Sequence, residues 1–320
     1  MLKTKILENT DKSQFEDEIN KFIEDKNVKG IQYNSIQRDN DFENITNHYA
    51  MIIYESGENE MRVKIGVTER GDAGLDTSWY EKIKDKQVDG AILITKNITD
   101  DFLARVWSLH NYGYKIIIHC TCTGWGGTIM EPNVPTYQKQ LKQLSDLITA
   151  GFPTERCVLR IDPIFPTPSG MQRVADVLDY AYNLNLLPDI RVRISIFDEY
   201  KHVKERFKRA GFNPMYGNSF YAPQEMMEYA KKFLEDCAAK YKIKFETCAE
   251  PALFNENAFI HRGCVSEYDL ELLNLPVDTN MITNMQHRNG CMCLSCKTEL
   301  LNNKKQCPHK CLYCYWKPEN

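Results

Sequence analysis

Six cysteines, Cys291, Cys293, Cys296, Cys307, Cys311 and Cys314, crowd into residues 291–314 of a 320-residue chain that has twelve in all. No other feature restricts the possible folds as strongly. Residues 250–320 are polar and rich in loop-forming side chains. A segment of that kind rarely packs by apolar burial alone, and bound metal is the staple that would fix it. A disulfide framework spreads its cysteines along a secreted chain, whereas clustered cysteines in a reducing compartment point to metal ligation or catalysis. The start, Met1-Leu2-Lys3-Thr4-Lys5-Ile6, lacks the apolar stretch of a signal peptide, and no apolar run is long enough to span a bilayer. The expected location is therefore cytoplasmic.

Upstream of the tail, two rhythms alternate. Residues 1–57 read as a small β-α-β-β unit: a strand at 3–7, a cap at Asn9-Thr10-Asp11, a helix carrying Phe15, Ile19, Phe22 and Ile23, and strands over 28–36 and 48–54. The unit carries 13 acidic against 7 basic residues up to position 60, and no catalytic constellation. It is expected to serve interaction or oligomerisation and to bind a protein partner. From Met61 onward, short apolar runs at 63–67, 90–94, 115–120, 157–161, 191–196 and 243–248 alternate with amphipathic helical stretches. That is the signature of βαβ units and a parallel sheet. Eight such strands close a standard barrel. Six predict an α/β fold built on a partial (β/α)6 barrel over 58–250, with chemistry at the C-terminal strand ends and a cysteine-rich tail over 251–320. The tail is mildly basic from His287 on, a solvated surface before it is an anion site.

Cys307, Cys311 and Cys314 follow a C-x3-C-x2-C spacing. Three thiolates so spaced can bind three irons of one [4Fe–4S] cubane and leave the fourth iron open. An open iron can take the amino and carboxylate groups of S-adenosylmethionine (SAM), and one electron then cleaves the sulfonium bond to give a 5′-deoxyadenosyl radical. This is the cluster type of radical SAM proteins. Tyr313, just before the last cysteine, matches their habit of placing an aromatic there, near the adenine. A second iron–sulfur cluster is expected on Cys248, Cys264, Cys291 and Cys293, with Cys296 able to replace one member. Buried free thiols that pack as small hydrophobes are the plain competitor. Two further readings stay open. Cys293-x2-Cys296 and Cys311-x2-Cys314 have the spacing of a zinc ribbon, which would make the chain a binding module on an α/β barrel. An iron–sulfur electron carrier without SAM cleavage is the other.

The segments Gly124-Trp-Gly-Gly, Glu131-Pro-Asn-Val-Pro135, Arg160-Ile-Asp162-Pro163-Ile164, Ser195-Ile-Phe-Asp198-Glu-Tyr200, Thr247-Cys-Ala-Glu250, Gly263-Cys264 and Cys291-Met-Cys293 precede the terminal Cys307-x3-Cys311-Leu-Tyr-Cys314-Tyr315. Together they resemble an uncharacterised domain-of-unknown-function family related to radical SAM proteins, whose cysteine cluster sits at the C-terminus. Thr68-Glu-Arg70-Gly-Asp72 resembles its first-strand motif, with changes. The likeness covers roughly residues 61–317. It implies iron–sulfur and SAM, and it supplies no substrate. Residues 1–57 resemble a family of very small sporulation-associated proteins in layout alone. The cysteines of most radical SAM proteins follow the first strand. Here they follow the sixth, so the tail is expected to fold back over the barrel mouth.

Polar residues at strand C-termini complete the candidate site. Arg160, Asp162 and Asp198 are expected to hold the SAM carboxylate, amino or ribose groups, or the substrate, and Arg70 is placed with them. An internal ion pair such as Arg160 with Asp162 or Glu250 is the structural competitor. Thr121, Thr123, Trp125, Ser195 and Glu250 sit at similar positions. Gly126-Gly127 reads as a turn first, and His119, His261, His287 and His309 as structural before ligating. The predicted enzyme is a radical SAM protein acting on a nucleobase, a DNA lesion or a small metabolite, with an electron donor such as flavodoxin or ferredoxin.

Overall fold

The computed structural model describes residues 2–24, 26–40, 43–55, 63–85, 88–277 and 290–316. The chain forms two compact units, Met1–Arg62 and Val63–Asn320. The expected boundary at Ser56-Gly57 and the change of rhythm at Met61 lie outside the described residues, as does His287.

The first unit runs β1 (Leu2–Asn9), α1 (Lys12–Ile23), β2 (Asn27–Asn40) and β3 (Glu43–Glu55). The three strands form an antiparallel sheet in the order β1-β3-β2. Asp11 caps α1 by accepting from the Gln14 N–H at 3.0 Å. Phe15, Ile19, Phe22 and Ile23 then fall on one helical face and pack on Ala50, Ile52 and Tyr54. The hairpin strands run further than the expected 28–36 and 48–54. Residues 37–44 are mostly polar, so apolar alternation gives no signal there, while the backbone ladder continues through Asn40↔Glu43.

The second unit carries the α/β fold. Its elements are β4 (Ile65–Val67), α2 (Trp79–Asp85), β5 (Gly90–Thr95), α3 (Asp100–Asn111), β6 (Lys115–Thr121), α4 (Tyr137–Thr149), β7 (Cys157–Ile164), α5 (Pro168–Asn183), β8 (Arg191–Ile196), α6 (Lys201–Arg209), α7 (Gln224–Tyr241), β9 (Phe245–Thr247), β10 (Phe259–His261), α8 (Glu267–Leu272) and β11 (Lys297–Glu299). Thr99, Thr136 and Thr167 cap α3, α4 and α5 through side-chain acceptors. None of the described helices is long and apolar enough to cross a membrane.

The sheet is wholly parallel, in the order β10-β9-β8-β7-β6-β5-β4-β11. Its strands alternate between two apolar faces. Ala91, Leu93, Ile116, Ile118, Leu159 and Val192 meet the flanking helices. Ile65, Val67, Ile92, Ile117 and Val158 point the other way and close on Leu270, Leu273 and Leu294. Helix α8 therefore plugs the end where the strands begin. The Lys115 ammonium reaches the Asn274 carbonyl at 2.8 Å, Arg156 reaches that of Leu272, and Arg191 pairs with Asp269 at 2.8 Å.

Two features of the tail correct the six-strand expectation. The tail is not loop alone, since it supplies β10 and β11, which dock on β9 and β4. The first and sixth barrel strands are therefore not the sheet's edges. Three-residue strands are too short to leave a periodic trace in sequence. Among the described residues the outer strands are not paired with each other. Instead the segments beside them meet, where the Leu294 N–H donates to the Val265 carbonyl at 3.0 Å.

Candidate metal centre

Where the parallel strands end, the second unit encloses a cavity of about 620 Å³. Its wall comes from chain segments far apart in sequence: the loop after β4, the ends of β5, β7 and β8, Cys248 after β9, and the tail from Cys291 to Trp316. All seven cysteines singled out from spacing line it, as do Arg70, Arg160, Asp162, Asp198 and Tyr313.

Three of the sulfurs form a tight group. The Sγ atoms of Cys248, Cys291 and Cys293 all lie within 4.8 Å of one another, a set able to hold a metal ion. Cys248 and Cys293 are 3.7 Å apart. The Cys264 N–H donates to the Cys293 sulfur at 3.1 Å, bringing the fourth cysteine alongside. Hydrogen bonds from the Cys248 and Cys293 thiols, joined by the Arg160 and Arg193 guanidiniums, hold the Cys264 thiol well below its ordinary pKa. Its hydrogen bond with Cys264 in turn pushes Cys248 up to about 12. One thiolate is thus favoured in the group before any metal arrives, and positive charge beside it favours ligation. Gly263 makes the approach possible. A Cβ there would stand 2.5 Å from the Met292 carbonyl oxygen and 2.8 Å from the Cys293 nitrogen.

The arginines that face this group are fixed from below. Glu246 accepts from Arg191 at 2.8 Å and from Arg193 at 2.7 Å, and it also pairs with Arg262. Burial opposes its charge, but the guanidiniums of Arg193 and Arg191 prevail and bring the carboxyl down to about 2. His119 lies fully buried among them, with neither ring nitrogen hydrogen-bonded, and burial together with Arg193 and Arg160 keeps the imidazole neutral.

The other three cysteines are carried by a stretch of tail anchored through polar side chains. His309 Nε2 meets Asp72 at 3.0 Å, its Nδ1 faces the Asn133 carbonyl at 3.1 Å, and the Asn133 side chain donates to the Pro308 carbonyl at 2.7 Å. Burial opposes the Asp72 charge, but the His309 hydrogen bond and charge, Lys304 and the Lys96 N–H together outweigh it and bring that carboxyl to about 2. A second anchor is the trio of half-buried Lys96 with buried Glu131 and Tyr313. The ammonium lies 2.8 Å from Glu131 and 2.9 Å from the Tyr313 hydroxyl, and Tyr313 also donates to Glu131. Burial would lower the Lys96 pKa, yet Glu131 and the neighbouring Cys311 raise it. Burial pushes the Cys311 thiol up to about 12 and raises that of Cys307 as well.

The remaining candidates separate clearly. Arg160 and Asp162 pair with each other at the cavity wall. Arg70 lies over the Trp316 ring at 5.7 Å. Glu250 accepts from the Ser195 hydroxyl at 2.8 Å and the Ile196 N–H at 2.9 Å, tying the start of the tail to β8. Cys296 packs against the interior apolar cluster, away from the cavity. Gly126-Gly127 forms a turn, with Gly127 at φ 78°. Lys96 and Glu131 went unmarked as site residues, although Lys96 directly follows a strand end and Glu131 opens one of the quoted motifs. Lys297 and Glu69, paired at 2.9 Å on the cavity wall, left no signal because β11 itself was invisible.

A family model described as a domain of unknown function (DUF1848) matches residues 62–316. No curated protein matches the chain. An endoglucanase of Pseudomonas stutzeri, Cel5A, overlays on 70% of this chain and 97% of its own, at 11% identity and a TM-score of 0.26. At that score no shared fold follows.

Proposed function

The chain belongs to the DUF1848 family, whose model spans both cysteine groups, and we propose that it is a redox enzyme with two thiolate-ligated centres facing one reaction cavity. Cys307, Cys311 and Cys314 hold a [4Fe–4S] cluster with one iron left for SAM. Cys248, Cys264, Cys291 and Cys293 hold a second iron–sulfur centre with no open position. The observation that carries this reading is the convergence of both groups, with Arg70, Arg160, Asp162, Asp198 and Tyr313, on one cavity at the strand C-termini. When bound, such a cluster supplies the electron that cleaves SAM and starts radical chemistry.

The chain's own residues have definable parts. The Arg160–Asp162 pair offers a cation and an anion at one wall, matched to a ligand carrying both a carboxylate and an ammonium group. Arg70 and Asp198 line the same cavity. Lys96 places positive charge near Cys311 and stabilises its thiolate. The Asp72–His309 and Lys96–Glu131–Tyr313 contacts anchor the Cys307–Cys314 loop at the cavity wall. An external one-electron donor of flavodoxin or ferredoxin type would feed the site, and the compartment is the cytoplasm.

A second reading has its own support. A tetrahedral ion with metal–sulfur bonds of about 2.3 Å holds its sulfurs about 3.8 Å apart. The 3.7 Å between Cys248 and Cys293 fits that spacing, so a single zinc ion is the competing occupant of the four-cysteine group. The deciding experiment is anaerobic reconstitution with iron and sulfide, reduction, addition of SAM, and quantification of 5′-deoxyadenosine. Turnover that Cys307→Ala abolishes supports the proposal. Stable zinc retained by the wild type and lost in Cys293→Ala, with no nucleoside product, supports the zinc reading.

A further inference from the structure

The cavity opens beside an aromatic ladder that no single stretch of sequence displays. Tyr315 stacks on Tyr200 with ring centroids 5.4 Å apart and planes 20° from parallel. Trp316 lies 5.3 Å from Tyr315 on the tail side. Phe220 meets Tyr200 edge-on at 4.8 Å, and Tyr221 continues from Phe220 at 4.7 Å. Tyr200, Tyr315 and Trp316 line the cavity. The ladder is nonetheless open to solvent, with Tyr315 53% and Tyr221 67% exposed. Two exposed rings joined through the half-buried Tyr200 and Phe220 into one row are uncommon on a surface that serves only solubility.

The charge beside the ladder is positive. Helix α6, Lys-His-Val-Lys-Glu-Arg-Phe-Lys-Arg, sets five cations against one carboxylate in a chain whose net charge is -4. Two of those cations tie the helix to its surroundings. Lys204 donates to the Gly217 carbonyl at 2.8 Å, and Arg206 donates to the Leu312 carbonyl at 2.9 Å on the ring-bearing tail. His202 meets the Tyr315 carbonyl at 2.8 Å. Lys201, Lys208 and Arg209 remain exposed on the same helix, and Lys310 is exposed at the cavity wall. Rings that offer π-faces, flanked by cations that track an anionic backbone, are the two elements with which proteins hold unpaired nucleotides. An acidic peptide would use the cations and leave the rings idle.

We propose that the ladder Tyr221–Phe220–Tyr200–Tyr315–Trp316, with helix α6, is the entry platform for a nucleotide substrate, its base stacked on the rings and its phosphate drawn by the lysines. This rests on the reading of the adjacent cavity as the reaction chamber, and it names the substrate class for it. The shared chemistry is an aromatic base carrying phosphate, supplied either by a free nucleotide or by a unit of a single strand.

The test is equilibrium binding by the full chain, with fluorescein-labelled (dT)6 read by anisotropy and thymidine monophosphate as competitor. Binding that weakens with added salt is expected. It should fall about tenfold in Tyr315→Ala, recover in Tyr315→Phe, and lose salt dependence in a Lys201→Gln/Lys208→Gln/Arg209→Gln variant. Competition by the mononucleotide at equal concentration assigns the site to free nucleotides, and its failure assigns it to strands. An abasic oligomer that binds as tightly as (dT)6, a polyglutamate peptide that displaces it, full displacement by SAM, or no binding at all would each overturn the proposal. Iron content and SAM cleavage are measured on the same preparations. Loss of binding with cleavage intact rejects the platform alone, and binding without cleavage rejects only the proposed chemistry.

Discussion

Replacing Gly263 by alanine tests whether the four-cysteine group is built for a metal. The added Cβ would sit 2.5 Å from the Met292 oxygen, 2.7 Å from its carbonyl carbon and 2.8 Å from the Cys293 nitrogen. All three are backbone atoms, so no side chain can rotate aside. A relaxed carbon contact lies near 3.5 Å, so the 292–293 backbone must retreat by about 1 Å. Ligand positions at a metal site tolerate about 0.2 Å. The direct steric cost, about 1–3 kcal/mol, is small for a chain whose apolar interior is untouched. The loss falls instead on Cys293, which meets both Cys248 and Cys264. Metal and sulfide analysis of reconstituted protein, with circular dichroism as the fold control, should find the four-cysteine share missing and the Cys307–Cys314 share retained. Wild-type metal content in Gly263→Ala would refute the reasoning, as would equal loss from both groups.

Three further outcomes follow from the geometry. Asp72 is held at about 2 against an ordinary 3.8, so its stabilisation is complete above pH 4 and lost as pH falls through 2. Asp72→Asn should cost about 2 kcal/mol at pH 7 in urea unfolding and flatten the acid limb of the stability profile. Burial and the neighbouring Glu69 push Glu299 up to about 7, which is the opposite case. Its contribution is complete below about pH 4.5 and lost as pH rises through 7, so Glu299→Gln should raise the urea midpoint at pH 8 and leave it unchanged at pH 4. Leu270 is fully buried in the interior cluster, and Leu270→Ala should cost about 2–5 kcal/mol by thermal unfolding while sparing metal uptake, because α8 plugs the end of the barrel opposite the cavity.

The main-sheet strands were legible because each is a short apolar run with turn residues or helix caps on either side; Ile116-Ile117-Ile118 before Tyr137–Thr149 is an example. β10 and β11 were not, because three residues carry no period and their stability comes from ladders to distant strands. The seven cysteines singled out in the sequence all line one cavity, but spacing carried no information beyond the thiols themselves. It was silent on the partners that position them. Lys96, Glu131 and Asp72 act across long sequence separations, and a buried ion pair of that kind leaves no local pattern. The ring ladder was equally hidden, since Tyr200 reaches Tyr315 only through the docking of the tail on α6. Cys296 shows the converse: spacing alone made it a ligand candidate, and it packs, half-buried, against the apolar cluster away from the cavity.

The proposed chemistry requires an open iron site at Cys307, Cys311 and Cys314. Electron paramagnetic resonance of the reduced, reconstituted protein, recorded with and without SAM, addresses it directly. A reduced-cluster signal that changes on adding SAM is expected in the wild type and in Cys293→Ala, with its SAM-sensitive part missing in Cys307→Ala. A signal indifferent to SAM, or one that survives unchanged in Cys307→Ala, would contradict it.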